Sequence, residues 1–265
     1  MDGVSIGPLF LRWNGLLIAL GVSIGALIAA LEAQRRFRDT EVIYYLFMPL
    51  LIWGWIGSRL WHVLTPPLSS VQLGLTTWHY LSHPLDILSF WIGGFGIPGA
   101  ILGGTIALWI VCRKDGLPFW DIADVLSPGL VVAHTVGRFG NYFNYELYGL
   151  PSSLPWALLV PLENRLMGYE QVEFYHPLFA YEAVPLLILA TVLFWLSRGR
   201  FTDRLKPGEL FLVYLGGYSI IRFFLEFLRL DISLVNGVNA NQVFFAIMLL
   251  LCTVVFIRNR LVQNL

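Results

Sequence analysis

Arg138, Asn141 and Glu146 stand in the stretch GRFGNYFNYELYG, and Tyr218, Arg222, Glu226 and Arg229 stand in YSIIRFFLEFLRLD. Arginine beside carboxamide donors and glycine is a cradle for an anion such as a phosphate, because the guanidinium charge is permanent and its N–H fork matches phosphate oxygens. The four polar residues of the second stretch recur at four, four and three. At 100° per residue they fall within an arc of about 80° on one helix face. Arg222 and Glu226 can pair one turn apart, and an ion pair that locks two helices would account for those two alone. Two arginines against one glutamate leave a positive charge over, which suits an anion inside the fold. In the first stretch His134, Arg138, Asn141 and Tyr145 form a similar stripe if a helix continues through them, while Gly137 and Gly140 thin it for close approach. Asn144, Glu146 and Gly149 then read as an outward turn. His134 has two readings, a hydrogen-bonded core histidine or a member of the site.

Other candidates carry less. HPLFAYE, His176 to Glu182, opens a helix with a proline near its first turn and places Glu182 at lipid depth, where a carboxylate needs a cation such as Arg138 or Arg222. Arg59 reads as a helix anchor or as a side chain snorkelling to an interface. The glycines of IGGFGIPGAILGG, Ile92 to Gly104, allow a broken or tightly packed helix, kinked at Pro98.

These residues must be positioned by elements that cross a membrane. The 265 residues are 57% hydrophobic and 13% charged, with a mean hydropathy of +0.70, far from a soluble domain. A spanning helix needs about 20 apolar residues. Six stretches approach that: Trp13 to Leu31, Val42 to Leu64, Ile87 to Cys112, Pro177 to Leu196, Leu210 to Leu228 and Asn239 to Ile257, with Ile122 to Gly137 a weaker seventh. Basic residues are retained on the cytoplasmic side, and 11 of the 17 follow alternate spans: Arg35, Arg36, Arg38, Arg113, Lys114, Arg198, Arg200, Arg204, Lys206, Arg258 and Arg260. The loop Thr65 to Asp86 has none. Alternation holds only if the weak segment crosses. The expected architecture is therefore one all-α membrane domain over residues 1–265, with seven transmembrane helices, the N-terminus outside and the C-terminus cytoplasmic. Residues 150–176, proline-rich and acidic, are expected to form a small extracytoplasmic cap. The first span reads as its own insertion signal. Cys112 and Cys252, near cytoplasmic ends, are expected as free buried thiols. A net charge of zero gives no reason to expect nucleic acid as a partner.

Taken in order, GRFGNYFNYELYG, HPLFAYE, and YSIIRFFLEFLRLD followed by Asn241 and Gln242 closely resemble the bacterial prolipoprotein diacylglyceryl transferases. The resemblance runs nearly end to end, including GPLFLRWNG and the GSR of the second span. It implies transfer of the diacylglyceryl group of phosphatidylglycerol to the lipobox cysteine of a preprolipoprotein signal peptide, at the outer side of the inner membrane. Glycerol phosphate is released and a thioether forms, the first step of lipoprotein maturation. By resemblance Arg138 and Arg222 match the family's two critical arginines, Asn141, Glu146 and Gly149 lie in its signature, and Tyr218, Glu226 and Arg229 in its later motif.

A thiolate attacking a glyceryl carbon drives charge onto the departing phosphate, and fixed guanidinium groups stabilise it. Arginine needs no metal for this, and neither metal nor cofactor is expected. Glu146, Glu226 and His134 are candidates to take the thiol proton. Two departures matter: Pro98 stands where many members have histidine, which excludes a histidine base there, with Ile92 in place of a glutamate, and Asn14 replaces the tyrosine of the usual RWYG. A membrane subunit that binds an anionic lipid or partner protein without catalysis is the alternative.

Overall fold

The computed structural model describes residues 3–7, 9–89, 93–198 and 204–261. An antiparallel hairpin, β1 (Gly3–Ile6) and β2 (Leu9–Arg12), runs directly into α1 (Trp13–Phe37). Then come α2 (Glu41–Leu64), three short helices α3 (Leu68–Gln72), α4 (Thr77–Ser82) and α5 (Pro84–Ile87), α6 (Ile97–Asp115) and α7 (Phe119–Phe143). A segment containing the paired strands β3 (Leu158–Leu159) and β4 (Phe174–Tyr175) precedes α8 (Leu178–Arg198) and α9 (Glu209–Leu225). The hairpin of β5 (Leu234–Val235) and β6 (Val238–Asn239) opens α10 (Ala240–Leu261). Among the described residues, α1, α2, α6, α8 and α10 are long and apolar enough to cross a membrane. Of the other two long helices, α7 carries Asp121, Asp124 and Arg138, and α9 has 17 residues. Residues 150–176 carry short strands and one 3-10 turn (Leu162–Asn164), and Val160, Leu166 and Tyr175 gather with Leu230 into a small apolar cluster.

Close helix pairs follow from glycine. A side chain at Gly129 of α7 would meet the Gly25 carbonyl oxygen of α1 at 2.2 Å, and one at Gly99 of α6 would meet that of Gly57 in α2 at 2.0 Å. α1 thus lies along α7 and α2 along α6, while α8 packs between α7 and α9. Three sequence expectations change here. The third span does not begin at Ile87: α6 starts at Ile97, and Pro98 occupies its first turn, where its missing N–H costs nothing, instead of kinking it. Gly93 and Gly94, with φ of 81° and 82°, stand outside that helix, and Ile92 lies outside the described residues. The helix expected over Leu210 to Leu228 is α9, which stops at Leu225.

Buried polar groups form two layers. Asp124 and Glu209 lie at the start of α7 and α9, Arg138 and Arg222 about 20 Å further along each helix at 1.5 Å per residue. In the first layer the Asp124 carboxylate accepts the backbone N–H groups of Gly208 and Phe211 at 2.8 Å each, capping α9 from a neighbouring helix. Glu32 takes Arg35 at 2.8 Å and Arg198 at 2.6 Å, and Glu209 takes Arg260. Several arginines that set the charge alternation therefore also tie the helix ends together. Asp124→Ala removes that cap and is expected to cost about 1–2 kcal/mol, read as a lower melting temperature in detergent. Cys112 and Cys252 are free and buried, as expected.

Candidate active site

The second layer is built where α7, α8 and α9 meet. Glu182, in the first turns of α8, has no exposed surface, because it sits between two helices that each send an arginine toward it. Arg138 Nε of α7 is 3.1 Å from Glu182 Oε1, and Arg222 of α9 donates to Oε2 at 2.9 Å. The Tyr218 hydroxyl, one turn before Arg222, donates to Oε1 at 3.1 Å. Burying a carboxylate this deeply is tolerable only when its lone pairs are filled in this way.

The chain of contacts continues in both directions. Arg222 donates to Glu226 Oε1 at 2.6 Å, Arg229 donates to the same oxygen at 3.1 Å, and Asn239 donates to Oε2 at 3.0 Å. On the other side Arg138 donates to Asn141 Oδ1 at 3.3 Å, Asn141 donates to Glu146 Oε2 and Asn144 to Oε1, both at 3.2 Å. Eight of the expected site residues thus belong to one connected network. Its inner part sets three guanidinium groups, that of Arg229 half-buried, against the carboxylates of Glu182 and Glu226, so one positive charge remains over before the exposed Glu146 is counted. Glu146 is exposed at the edge. Among the described residues, the buried Nε atoms of Arg138 and Arg222 have no hydrogen-bond acceptor. For Arg138 this holds despite the short approach to Glu182, which is an ion pair without the alignment of a hydrogen bond.

His134 lies at the side of this network: its Nδ1 is 3.2 Å from the Tyr214 hydroxyl, and its ring packs 4.9 Å from that of Tyr218. Gly149 is held in backbone contacts. Its N–H donates to the His176 carbonyl at 2.8 Å, it bridges to Arg229, and a side chain there would meet the Leu228 carbonyl oxygen at 2.6 Å. It joins the ends of three segments that carry the motifs. The expected single helical stripe also changes. Glu226 caps α9 and Arg229 lies past it, while Tyr145 follows the end of α7 with φ of 51°. Charge pairing brings Arg229 in where helix periodicity does not. Of the two thinning glycines, Gly140 faces Asn14, whose Oδ1 would lie 2.4 Å from a new Cβ, and Gly137 faces open space.

Among the described residues, Arg59 neither snorkels nor pairs with an acid. It is 2% exposed and donates to the carbonyls of Asp86, Ile87, Gly93 and Gly94, gathering the segment before α6 around one guanidinium. Sequence reasoning misses Asn239 and Tyr214, and marks Asn14 only as a departure from the RWYG pattern. Asn239 has a signal, an asparagine just before an apolar helix, and its Oδ1 accepts the N–H groups of Asn241 and Gln242 at 3.1 Å. Asn14 Oδ1 is buried with no donor among the described residues.

A family model described as prolipoprotein diacylglyceryl transferase matches residues 3–258. A phosphatidylglycerol–prolipoprotein diacylglyceryl transferase of Synechococcus elongatus is 39% identical over 241 residues, 90% of this chain and 80% of the relative. Relatives of the same name from Cutibacterium acnes and from a Synechocystis strain are 38% and 35% identical, over 87% and 94% of this chain and 75% and 85% of their own lengths. With this match running almost end to end, and the arginines of its two motifs joined through Glu182, the chain belongs to the prolipoprotein diacylglyceryl transferase family.

Proposed function

We propose that the protein transfers the diacylglyceryl group of phosphatidylglycerol to the thiol of the lipobox cysteine in a preprolipoprotein signal peptide. The reaction takes place at the outer side of the bacterial inner membrane. The observation that carries this reading is the pair Arg138 and Arg222, brought from two helices onto one buried carboxylate with both Nε atoms unsatisfied. The relatives' names supply the two substrates. Charge alternation supports seven crossings, counting α7 and α9, with the N-terminus outside; the network then lies in the outer half of the bundle.

In the reaction the cysteine sulfur forms a C–S bond to the glyceryl carbon as the C–O bond to phosphate breaks. The bonding pair leaves with the phosphate oxygen, so negative charge grows on the departing glycerol phosphate. Arg138 and Arg222 are fixed donors for that charge, preorganised by Glu182 in surroundings from which water is largely excluded. Tyr218, Glu226 and Arg229 position Arg222, and Asn141 links Arg138 to Glu146. The thiol proton needs an acceptor with a free lone pair. Glu182 and Glu226 are occupied by guanidinium, hydroxyl and carboxamide donors, whereas Glu146 accepts two carboxamides among the described residues and is exposed at the edge of the site. Glu146 is therefore the best-placed base, and His134 is a core histidine held by Tyr214.

Purified protein mixed with phosphatidylglycerol and a lipobox peptide is expected to add one diacylglyceryl mass to the peptide, and nothing to the same peptide with serine for cysteine. Absence of any mass addition by the intact protein would favour a lipid-binding subunit instead.

A further inference from the structure

Among the described residues near the site end of the bundle, Arg12 carries a guanidinium with no protein acceptor. Of the arginines near the site end of the bundle, Arg59, Arg138, Arg165, Arg222 and Arg229 all donate to protein oxygens. The guanidinium of Arg12 has no hydrogen-bond or ion-pair partner among the described residues. It stands at the junction of β2 and α1, a helix start with no acidic residue in its first turn and no side-chain cap, where the helix dipole adds to its charge. A half-open cavity of about 270 Å³ lies in front of it, lined by Phe10, Arg12, Asn144, Tyr145, Glu146 and Asn164. Tyr145 also lines a neighbouring cavity of about 320 Å³ whose other walls are Trp13, Tyr142 and Phe143. A spare cation, a carboxylate and two carboxamides thus share one polar chamber, and an aromatic chamber adjoins it.

That combination selects a ligand class. A simple anion would be met by Arg12 but repelled by Glu146, and a simple cation the reverse. A phosphate ester bearing a vicinal diol satisfies both, with phosphate oxygens on the guanidinium and hydroxyl groups donating to the carboxylate. We propose that this chamber is an outer phosphoglycerol subsite, occupied before or after transfer and not during it, in which Arg12 holds the phosphate and Glu146 the diol. It is distinct from the unsatisfied Nε atoms of Arg138 and Arg222. The inference rests on the transferase reading for the identity of the ester. Phosphoglycerol can come from two sources, the headgroup of an incoming phosphatidylglycerol with acyl chains along Trp13, Tyr142 and Phe143, or the glycerol phosphate released by transfer.

Binding separates these sources and does not depend on turnover. Labelled glycerol phosphate is measured by equilibrium dialysis, and phosphatidylglycerol by native mass spectrometry from phosphatidylcholine-containing micelles, for the intact protein, Arg12→Gln and Arg12→Lys. Arg12→Gln is expected to weaken one class of binding sites about tenfold, the effect of one charge-assisted contact, and Arg12→Lys to recover most of it. Loss confined to free glycerol phosphate identifies the departing product as the occupant. Loss confined to phosphatidylglycerol identifies the headgroup. Equal binding by the intact protein and Arg12→Gln in both assays overturns the subsite. So does Arg12→Lys behaving like Arg12→Gln, since the charge would then not matter. Arg12-dependent binding in a protein that transfers nothing would keep the subsite and overturn the proposed function.

Discussion

Glu182→Gln is expected to slow transfer by about 10²-fold, because a displacement of about 1 Å in a positioned group can cost that much. It is also expected to destabilise the protein by about 3–5 kcal/mol, the cost of leaving buried charges without their partner. Among the described residues, Glu182 is the only group that touches both arginines and Tyr218. The amide keeps its shape but brings N–H groups against donors already aimed at it. The kinetic signature separates this from general unfolding. Removing a negative charge leaves more positive charge beside the site, so KM for phosphatidylglycerol should not rise while kcat falls. Tyr218→Phe is the comparison: it deletes one hydrogen bond to the same oxygen and is expected to cost about 1 kcal/mol. Melting in detergent and saturation kinetics on the two variants check both statements.

Arg222→Lys is expected to lower kcat by about 10²–10³-fold, the range found when a fixed transition-state donor is lost. Charge is conserved in this change, but the geometry is not. Arg222 divides its nitrogens between Glu182 at 2.9 Å and Glu226 at 2.6 Å, with Nε left free. A single ammonium cannot hold both carboxylates and still present a donor to phosphate. A rate for Arg222→Lys within a few-fold of the intact protein would show that charge alone suffices. Single-turnover transfer is the appropriate measurement, since it reads chemistry apart from product release.

The pairing of the two motifs is legible in the amino-acid sequence. The surplus arginine of the sixth span, the isolated Glu182 at lipid depth and the polar stripe through Arg138 each call for a partner, and in the fold the partners are one another. That inference works because a buried charge cannot stand alone, so composition restricts who meets whom. Helix ends are less legible. Arg229 reads as the last residue of a helical stripe, yet α9 stops at Leu225, and the contact with Glu226 comes from a turn. Pro98 reads as a kink and instead starts α6, because a proline tolerated in a first turn cannot be told from one in a helix interior until the start is known. Gly149 reads as part of a binding signature, and the close approach that requires glycine here is to the Leu228 backbone, which no sequence periodicity marks. Arg59 and Asn239 act through backbone carbonyls or a helix cap, which depend on chain path and leave little periodicity to read.

The central claim is that Arg138 and Arg222 act together, through Glu182, on the phosphate of phosphatidylglycerol. The direct test is single-turnover transfer from labelled phosphatidylglycerol to a lipobox peptide in proteoliposomes, comparing the intact protein with Arg138→Ala and Arg222→Ala, each shown by its melting to be folded. Both substitutions are predicted to lower the rate by at least about 10²-fold. A rate equal to that of the intact protein in either variant would contradict the account.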